Sequence, residues 1–259
     1  MTERRDPPPC FLDIETRSGR KLPTTSLRAY ADDPSAKVLC VGYALGDQPG
    51  KIWIPDKDPA PGGLTAAWHD PACRVVGHNI TFDVTVIERA LGFPPIPLER
   101  LVDTMARARA RSLPAGLDLL TRALGLEHQK DMAGKRTMLA LAKPRKARKG
   151  EDPTKIYFDE DPAKFNLLCR YCLADVDATR EVFRLLPPLS DRELRNWQLN
   201  ARINALGLPF DRPLVMAAQQ IAVVARPAIN AELKELTGGR VTSVNQIARL
   251  QSWLTEHGL

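Results

Sequence analysis

The alternation of apolar and polar positions is clearest near the start of the chain. Phe11-Leu12-Asp13-Ile14-Glu15-Thr16 reads as a short buried strand, with Leu12 and Ile14 on one face and Phe11, Asp13 and Glu15 on the other. A nearly continuous apolar run over 37–45 predicts a second strand, 46–50 a turn, and 51–55 a strand returning from it. Residues 55–63 are rich in Pro, Asp and Gly and predict a loop. Arg74–Gly77 predicts another short strand, broken by His78-Asn79-Ile80-Thr81. A helix follows from about Phe82 to Leu91, with Val86, Ile87, Ala90 and Leu91 facing inward, and Pro94, Pro95 and Pro97 close that unit.

Leu101–Thr104 predicts a strand leading into a helix over Met105–Arg111, and Leu117, Leu120 and Leu124 mark a helix over 116–124. Residues 127–160 change character: Lys143, Arg145, Lys146, Arg148 and Lys149 crowd a stretch with few apolar residues, which reads as a partly mobile basic insertion. Asp161-Pro162 is a helix start, Asp as cap and Pro at the first position. That helix runs to about Leu186 with an inward stripe of Phe165, Leu168, Cys172, Val176, Thr179 and Phe183. Ser190 and Glu193 predict a capping box for a helix over 190–205. After a turn at 207–213, helices over 214–236 and 243–257 are separated by Thr237-Gly238-Gly239. Strands first, then strand–helix alternation, then helices alone predict an α/β domain over 1–189 and a helical segment over 190–259.

Composition narrows this little. Of 259 residues 44% are hydrophobic and 26% charged, as in a soluble globular protein. No run approaches the ~20 apolar residues of a membrane span, so no membrane partner is expected. The N-terminus is charged and then proline-rich with no apolar core, so a cytoplasmic location is expected. The net charge of +6 permits a polyanionic partner. Five cysteines fit a reducing compartment. Cys169 and Cys172 lack a second pair and lie within a helical pattern, so they read as core.

The acids carry the chemistry. Side chains two apart on a strand lie ~6.6 Å from one another, so Asp13 and Glu15 read as solvated acids at a strand end or as half of a metal site. Like charges near a core call for a cation, and hard oxygen ligands favour Mg²⁺ or Mn²⁺. Asp83 falls in the first turn of a helix, where the dipole alone favours an acid. Yet the Gly77-His78-Asn79 junction before it is a strand end of the kind where ligands gather, and Asn79 offers both donor and acceptor there. Asp175 follows Tyr171 by four and shares its helix face, beside the apolar stripe, whereas Asp177 faces solvent. Alone, Tyr171 reads as a half-buried tyrosine at a helix–sheet contact.

Together, Asp13-Ile14-Glu15-Thr16, Gly77-His78-Asn79-Ile80-Thr81-Phe82-Asp83 and Tyr171-Cys172-Leu173-Ala174-Asp175 resemble the motifs of the DEDD (DnaQ-like) 3′-5′ exonuclease superfamily, in its tyrosine branch. The resemblance implies a ribonuclease H-like mixed sheet flanked by helices. It also implies two Mg²⁺ (or Mn²⁺) ions held by Asp13, Glu15, Asp83 and Asp175. Asp13 would bridge both, Glu15 and Asp175 would complete the site of the water-activating ion, and Asp83 would support the second through water. Tyr171 would orient the attacking water, since a phenol is a poor base near neutral pH. Thr16, Asn79 and Phe82 would contact the terminal nucleotide. The Asp103-Thr104-Met105 junction looks like the strand between the second and third motifs and puts Asp103 in the same substrate-binding set.

Trp53-Ile54-Pro55, Lys143-Pro144-Arg145, Leu236-Thr237-Gly238-Gly239 and the following Val241–Gln246 resemble phage-type family A DNA polymerases, in which such a domain proofreads. The expected substrate is then single-stranded DNA or a frayed primer 3′ end, with a polymerase domain or replication proteins as further partners. Residues 190–259 resemble the beginning of a polymerase thumb. The chain ends before palm or fingers could appear, so polymerase activity is not expected. Two alternatives stay open: a ribonuclease of the same superfamily acting on RNA 3′ ends, and a catalytically silent DNA-binding fragment of a DNA polymerase.

Overall fold

The first strand, β1 (Cys10–Arg17), lies at the centre of a five-stranded sheet. The structure is a computed structural model and describes residues 7–126 and 140–259. β2 (Lys37–Leu45) runs antiparallel to β1, and β3 (Lys51–Trp53) antiparallel to β2. On the other side β4 (Val75–Gly77) and β5 (Leu101–Asp103) add in parallel, giving the order β3-β2-β1-β4-β5. The expected mixed α/β sheet, flanked by helices, is present.

Cys10, Leu12 and Ile14 of β1 face one core with Val41, Tyr43 and Val75. Three helices cover it: α1 (Leu27–Ala31), α2 (Gly62–His69) and α3 (Ile80–Leu91). Neither α1 nor α2 was anticipated. α1 is a single turn capped by Ser26, too short to show a period. α2 opens on Gly62-Gly63, poor helix formers, yet Leu64, Ala67 and Trp68 recur at helical spacing and are buried. α3 begins at Ile80 rather than Phe82, because Asn79 adopts a left-handed conformation that turns the chain straight into it.

α4 (Thr104–Arg109) and α5 (Leu117–Ala123) follow β5. The opposite face of the sheet is covered by α6 (Pro162–Leu185). Asp161 caps it, its carboxylate accepting from the Ala163 and Lys164 N–H groups, with Pro162 at the first position as expected. Along α6, Leu168 packs with Leu39 and Leu141, Val176 with Phe11, Ala44 and Val76, and Val182 with Ala108 of α4 and Leu120 of α5. The far end is closed by Arg107, which stacks 4.5 Å from the Phe183 ring and donates to the Phe183 and Leu186 carbonyls at 3.0 Å. Burial lowers its pKa to about 10, where it stays charged at neutral pH.

α7 (Asp191–Leu206) starts at the expected capping box: Ser190 N–H donates to Glu193 Oε2 at 3.0 Å and Glu193 N–H to Ser190 Oγ at 3.3 Å. Its Trp197 packs against the core of the sheet. The first compact unit extends through Ala205.

The second unit, 206–259, contains α8 (Arg212–Leu236) and α9 (Ile247–Glu256). Thr237 ties the turn between them, its hydroxyl donating to the Leu233 carbonyl at 2.7 Å and accepting from the Val241 N–H at 3.0 Å. Residues 243–246 form a turn rather than the expected first turn of helix. Ile221, Val224 and Ile229 of α8 are exposed, whereas Leu233 is half-buried. Among the described residues, no helix is long and apolar enough to cross a membrane.

Leu168 is the fully buried anchor of the first half of α6. Leu168→Ala is expected to cost about 2–5 kcal/mol, read as a shift in urea midpoint; a loss below about 1 kcal/mol would show that this half of α6 is not held by its apolar contacts.

Candidate active site

Asp13 and Glu15 lie on the β1 face turned away from Leu12 and Ile14, toward α6. Asp13 is half-buried and Glu15 buried. The pairing of β1 with β2 shifts just after them: Glu15 pairs with Cys40, but Thr16 with Val38. α6 meets β1 here, where the Cys172 thiol donates to the Asp13 carbonyl at 3.4 Å. Burial first, and then the charges of Asp13 and Glu15, push the Cys172 thiol pKa up.

Asp83, in the first turn of α3, is buried. Burial first, then the nearby charge of Asp13, raises its carboxyl pKa well above the ordinary 3.8. Gly77 makes this junction possible. A methyl group there would lie 2.6 Å from Ile80 Cδ1 and 3.2 Å from the Leu12 carbonyl oxygen, so α3 leaves the sheet tightly against β1.

Asp175 is buried on α6 and Tyr171, one turn earlier, is half-buried. The structure thus brings Asp13 and Asp83 together and lays the Tyr171–Asp175 turn of α6 over the strand that carries Asp13 and Glu15. The donor set is all carboxylate oxygen, the chemistry a hard divalent cation prefers. A desolvated Asp83 beside Asp13 is what such a cation would relieve. Among the described residues, however, no three His, Cys, Asp or Glu side chains form a ready ligand cluster as they stand.

The residues expected against substrate have definite partners. Thr16 Oγ1 and Tyr30 Oη share a hydrogen bond of 2.8 Å, and the Phe82 ring lies tilted on Tyr30 with centroids 6.1 Å apart. Asn79, exposed and at φ 69°, donates its backbone N–H to Asp103 Oδ1 at 3.0 Å. Asp103 has further partners. Its Oδ1 also caps α4 through Met105 N–H and Ala106 N–H, and its Oδ2 accepts from Trp197 Nε1 at 3.3 Å. The carboxylate braces three segments, and a buried side chain so occupied supports the Asn79 turn. Tyr30 and Trp197 escaped the sequence reading; Ser26 as cap was the one local signal for the helix that carries Tyr30.

Of the basic insertion, 127–139 lie outside the described residues. In the remainder, Arg145 N–H donates to the Tyr157 carbonyl at 2.8 Å, and its guanidinium grips both oxygens of Glu151 at 2.6 and 2.7 Å. That grip, with the Arg148 N–H, holds the Glu151 carboxyl down to about 2. Arg145 is spent on its own loop; Arg148 remains exposed.

A central strand with two acids, a third at a strand–helix junction and a fourth on a covering helix define a candidate carboxylate site at the centre of an α/β fold. Residues 6–189 match the family described as 3′-5′ exonuclease, and the chain belongs to that family. It is 30% identical over 252 residues to the DNA polymerase of Bacillus phage SP02, an alignment covering 96% of this chain and 38% of that polymerase. Among solved structures, Escherichia coli RNase D aligns with 76% of this chain and 45% of its own at 16% identity and a TM-score of 0.43. Brucella melitensis NrnC with bound Mg²⁺ aligns with 78% of this chain and 82% of its own at 15% identity and a TM-score of 0.41. Likenesses this weak say nothing of substrate.

An acid whose pKa is raised by folding binds its proton more tightly folded than unfolded. Asp83 therefore favours the folded state most below the ordinary value of 3.8, and stability drains away as pH rises from there through the raised value. Without metal, Asp83→Asn is expected to flatten this fall and to raise the melting temperature at neutral pH. A melting profile that keeps the parent's slope would remove Asp83 as its source.

Proposed function

We propose that the chain is a metal-dependent exonuclease of proofreading type, which removes nucleoside 5′-monophosphates from DNA 3′ ends. The observation that supports it best is the Asp13–Asp83 pair beneath α6, within a domain of the 3′-5′ exonuclease family. The DNA polymerase relative supports DNA as substrate and a polymerase domain as functional partner. Asp13, Glu15, Asp83 and Asp175 are the residues to hold divalent metal, Mg²⁺ or Mn²⁺. Bound there, a pair of ions would neutralise charge on the scissile phosphodiester and lower the pKa of water.

The chain's own groups do the positioning. The Tyr171 hydroxyl, on the same helix face as Asp175, orients the attacking water. Thr16 and Phe82, both steadied by Tyr30, form a wall for the terminal nucleotide. Asn79, held by Asp103 with its side chain in solvent, offers an amide to the same nucleotide.

The test is a digestion of 3′-end-distal labelled single-stranded DNA and RNA, with Mg²⁺ and with chelator. Stepwise shortening of DNA from its 3′ end, only with Mg²⁺, is expected, and Asp13→Ala should lose on the order of a hundredfold or more. Tyr171→Phe should lower the single-turnover rate about tenfold to a hundredfold while Mn²⁺ still binds. Preference for RNA would turn the reading to a ribonuclease; activity indifferent to chelator would end it.

A further inference from the structure

We infer that Gly42 is a positioning residue for the nuclease reaction: its missing side chain lets α6 settle onto the sheet at the level of Asp13. This rests on the carboxylate site proposed above. Gly42 is the residue of β2 that pairs with Asp13 across the antiparallel ladder. A methyl group at position 42 would lie 2.9 Å from Cys172 Sγ, 3.0 Å from Val176 Cγ2 and 3.1 Å from the Cys172 carbonyl oxygen. The first distance is shorter than packed carbon and sulfur tolerate, and the last is to helix backbone, which cannot swing aside as a side-chain tip can. Gly42 is not among the residues of positive φ, so the need is for space and not for backbone freedom.

The surroundings turn that need into geometry. Neighbouring positions of β2, Cys40 and Ala44, pair with Glu15 and Phe11. The β2 side of this face is thus small where the β1 side is acidic or bulky, and α6 lies into the shallow side. Cys172, the residue most crowded by a methyl at 42, sits between Tyr171 and the turn that carries Asp175, and its thiol donates to the Asp13 carbonyl. Lifting the helix at this point lifts Tyr171 and Asp175 together away from Asp13 and Glu15. Leu168 on one side and Val182 on the other pin α6 to apolar clusters separate from that of Val176, so the chain stays folded when a methyl at 42 lifts the middle and loosens Val176.

The test is a double-mutant cycle of Gly42→Ala and Cys172→Ala, read by single-turnover cleavage and by calorimetric titration with Mn²⁺ alone. Gly42→Ala is expected to keep its circular dichroism and a cooperative melt, to lose about a hundredfold in rate, and to bind Mn²⁺ more weakly. In the Cys172→Ala background, where the closest of the three contacts is gone while those to Val176 and the Cys172 carbonyl remain, the same change should cost about tenfold less than in the parent, a coupling that a general loss of stability would not produce. Parent-like rate and Mn²⁺ binding in Gly42→Ala would overturn the proposal, as would equal losses in both backgrounds. Should Gly42→Ala fail to fold, the double variant decides: folded and active supports the spacing role, unfolded or folded and inactive overturns it. Asp13→Ala, run alongside, separates the two readings, because full activity in that variant would sink the carboxylate site whatever Gly42 does.

Discussion

Carboxylates that must converge repel one another, and side chains alone cannot hold them together. The elements that carry them have to be fixed by contacts that do not involve the acids. Here each is. β1 is locked between two strands as the middle of the sheet. α3 is drawn against it through the tight Gly77 junction, with Ile80, Val84 and Ile87 in the same core as Leu12 and Ile14. α6 is anchored at three apolar stations, Leu168, Val176 and Val182, each in a different cluster. Apolar burial thus carries the electrostatic cost of the site, and the cost surfaces as the raised pKa of Asp83.

The same logic explains the buried polar residues around the site. Asp103 is one acid that the fold uses up: three N–H groups and an indole converge on it, and it stands between the Asn79 turn, α4 and α7. Tyr30 plays a comparable part on the other flank, meeting Thr16 by its hydroxyl and Phe82 by its ring. Both hold neighbouring residues of the site in place.

Much of this was legible in the chain. The period of two in 11–16 put Asp13 and Glu15 on one face, and Asp161-Pro162 and the Ser190–Glu193 box marked helix starts that the structure reproduces. These signals are local, set by neighbours within a turn or a strand. What escaped depends on distant partners. α2 forms despite Gly62-Gly63 because Leu64 and Trp68 find a core to enter. α7 belongs with the sheet because Trp197 reaches Asp103, ninety-four positions away. Gly42 reads in sequence as one more small residue in an apolar strand; only the helix crossing it shows why nothing larger fits. The loop role of Arg145 likewise needs Glu151 and Tyr157 folded around it.

The central claim is that the acids of β1, α3 and α6 act on one metal site. Anomalous diffraction from crystals soaked in Mn²⁺ tests it most directly. The account predicts anomalous density enclosed by Asp13, Glu15, Asp83 and Asp175, beneath the Tyr171–Asp175 turn. Mn²⁺ found elsewhere, or no density at that position in saturating Mn²⁺, would contradict it.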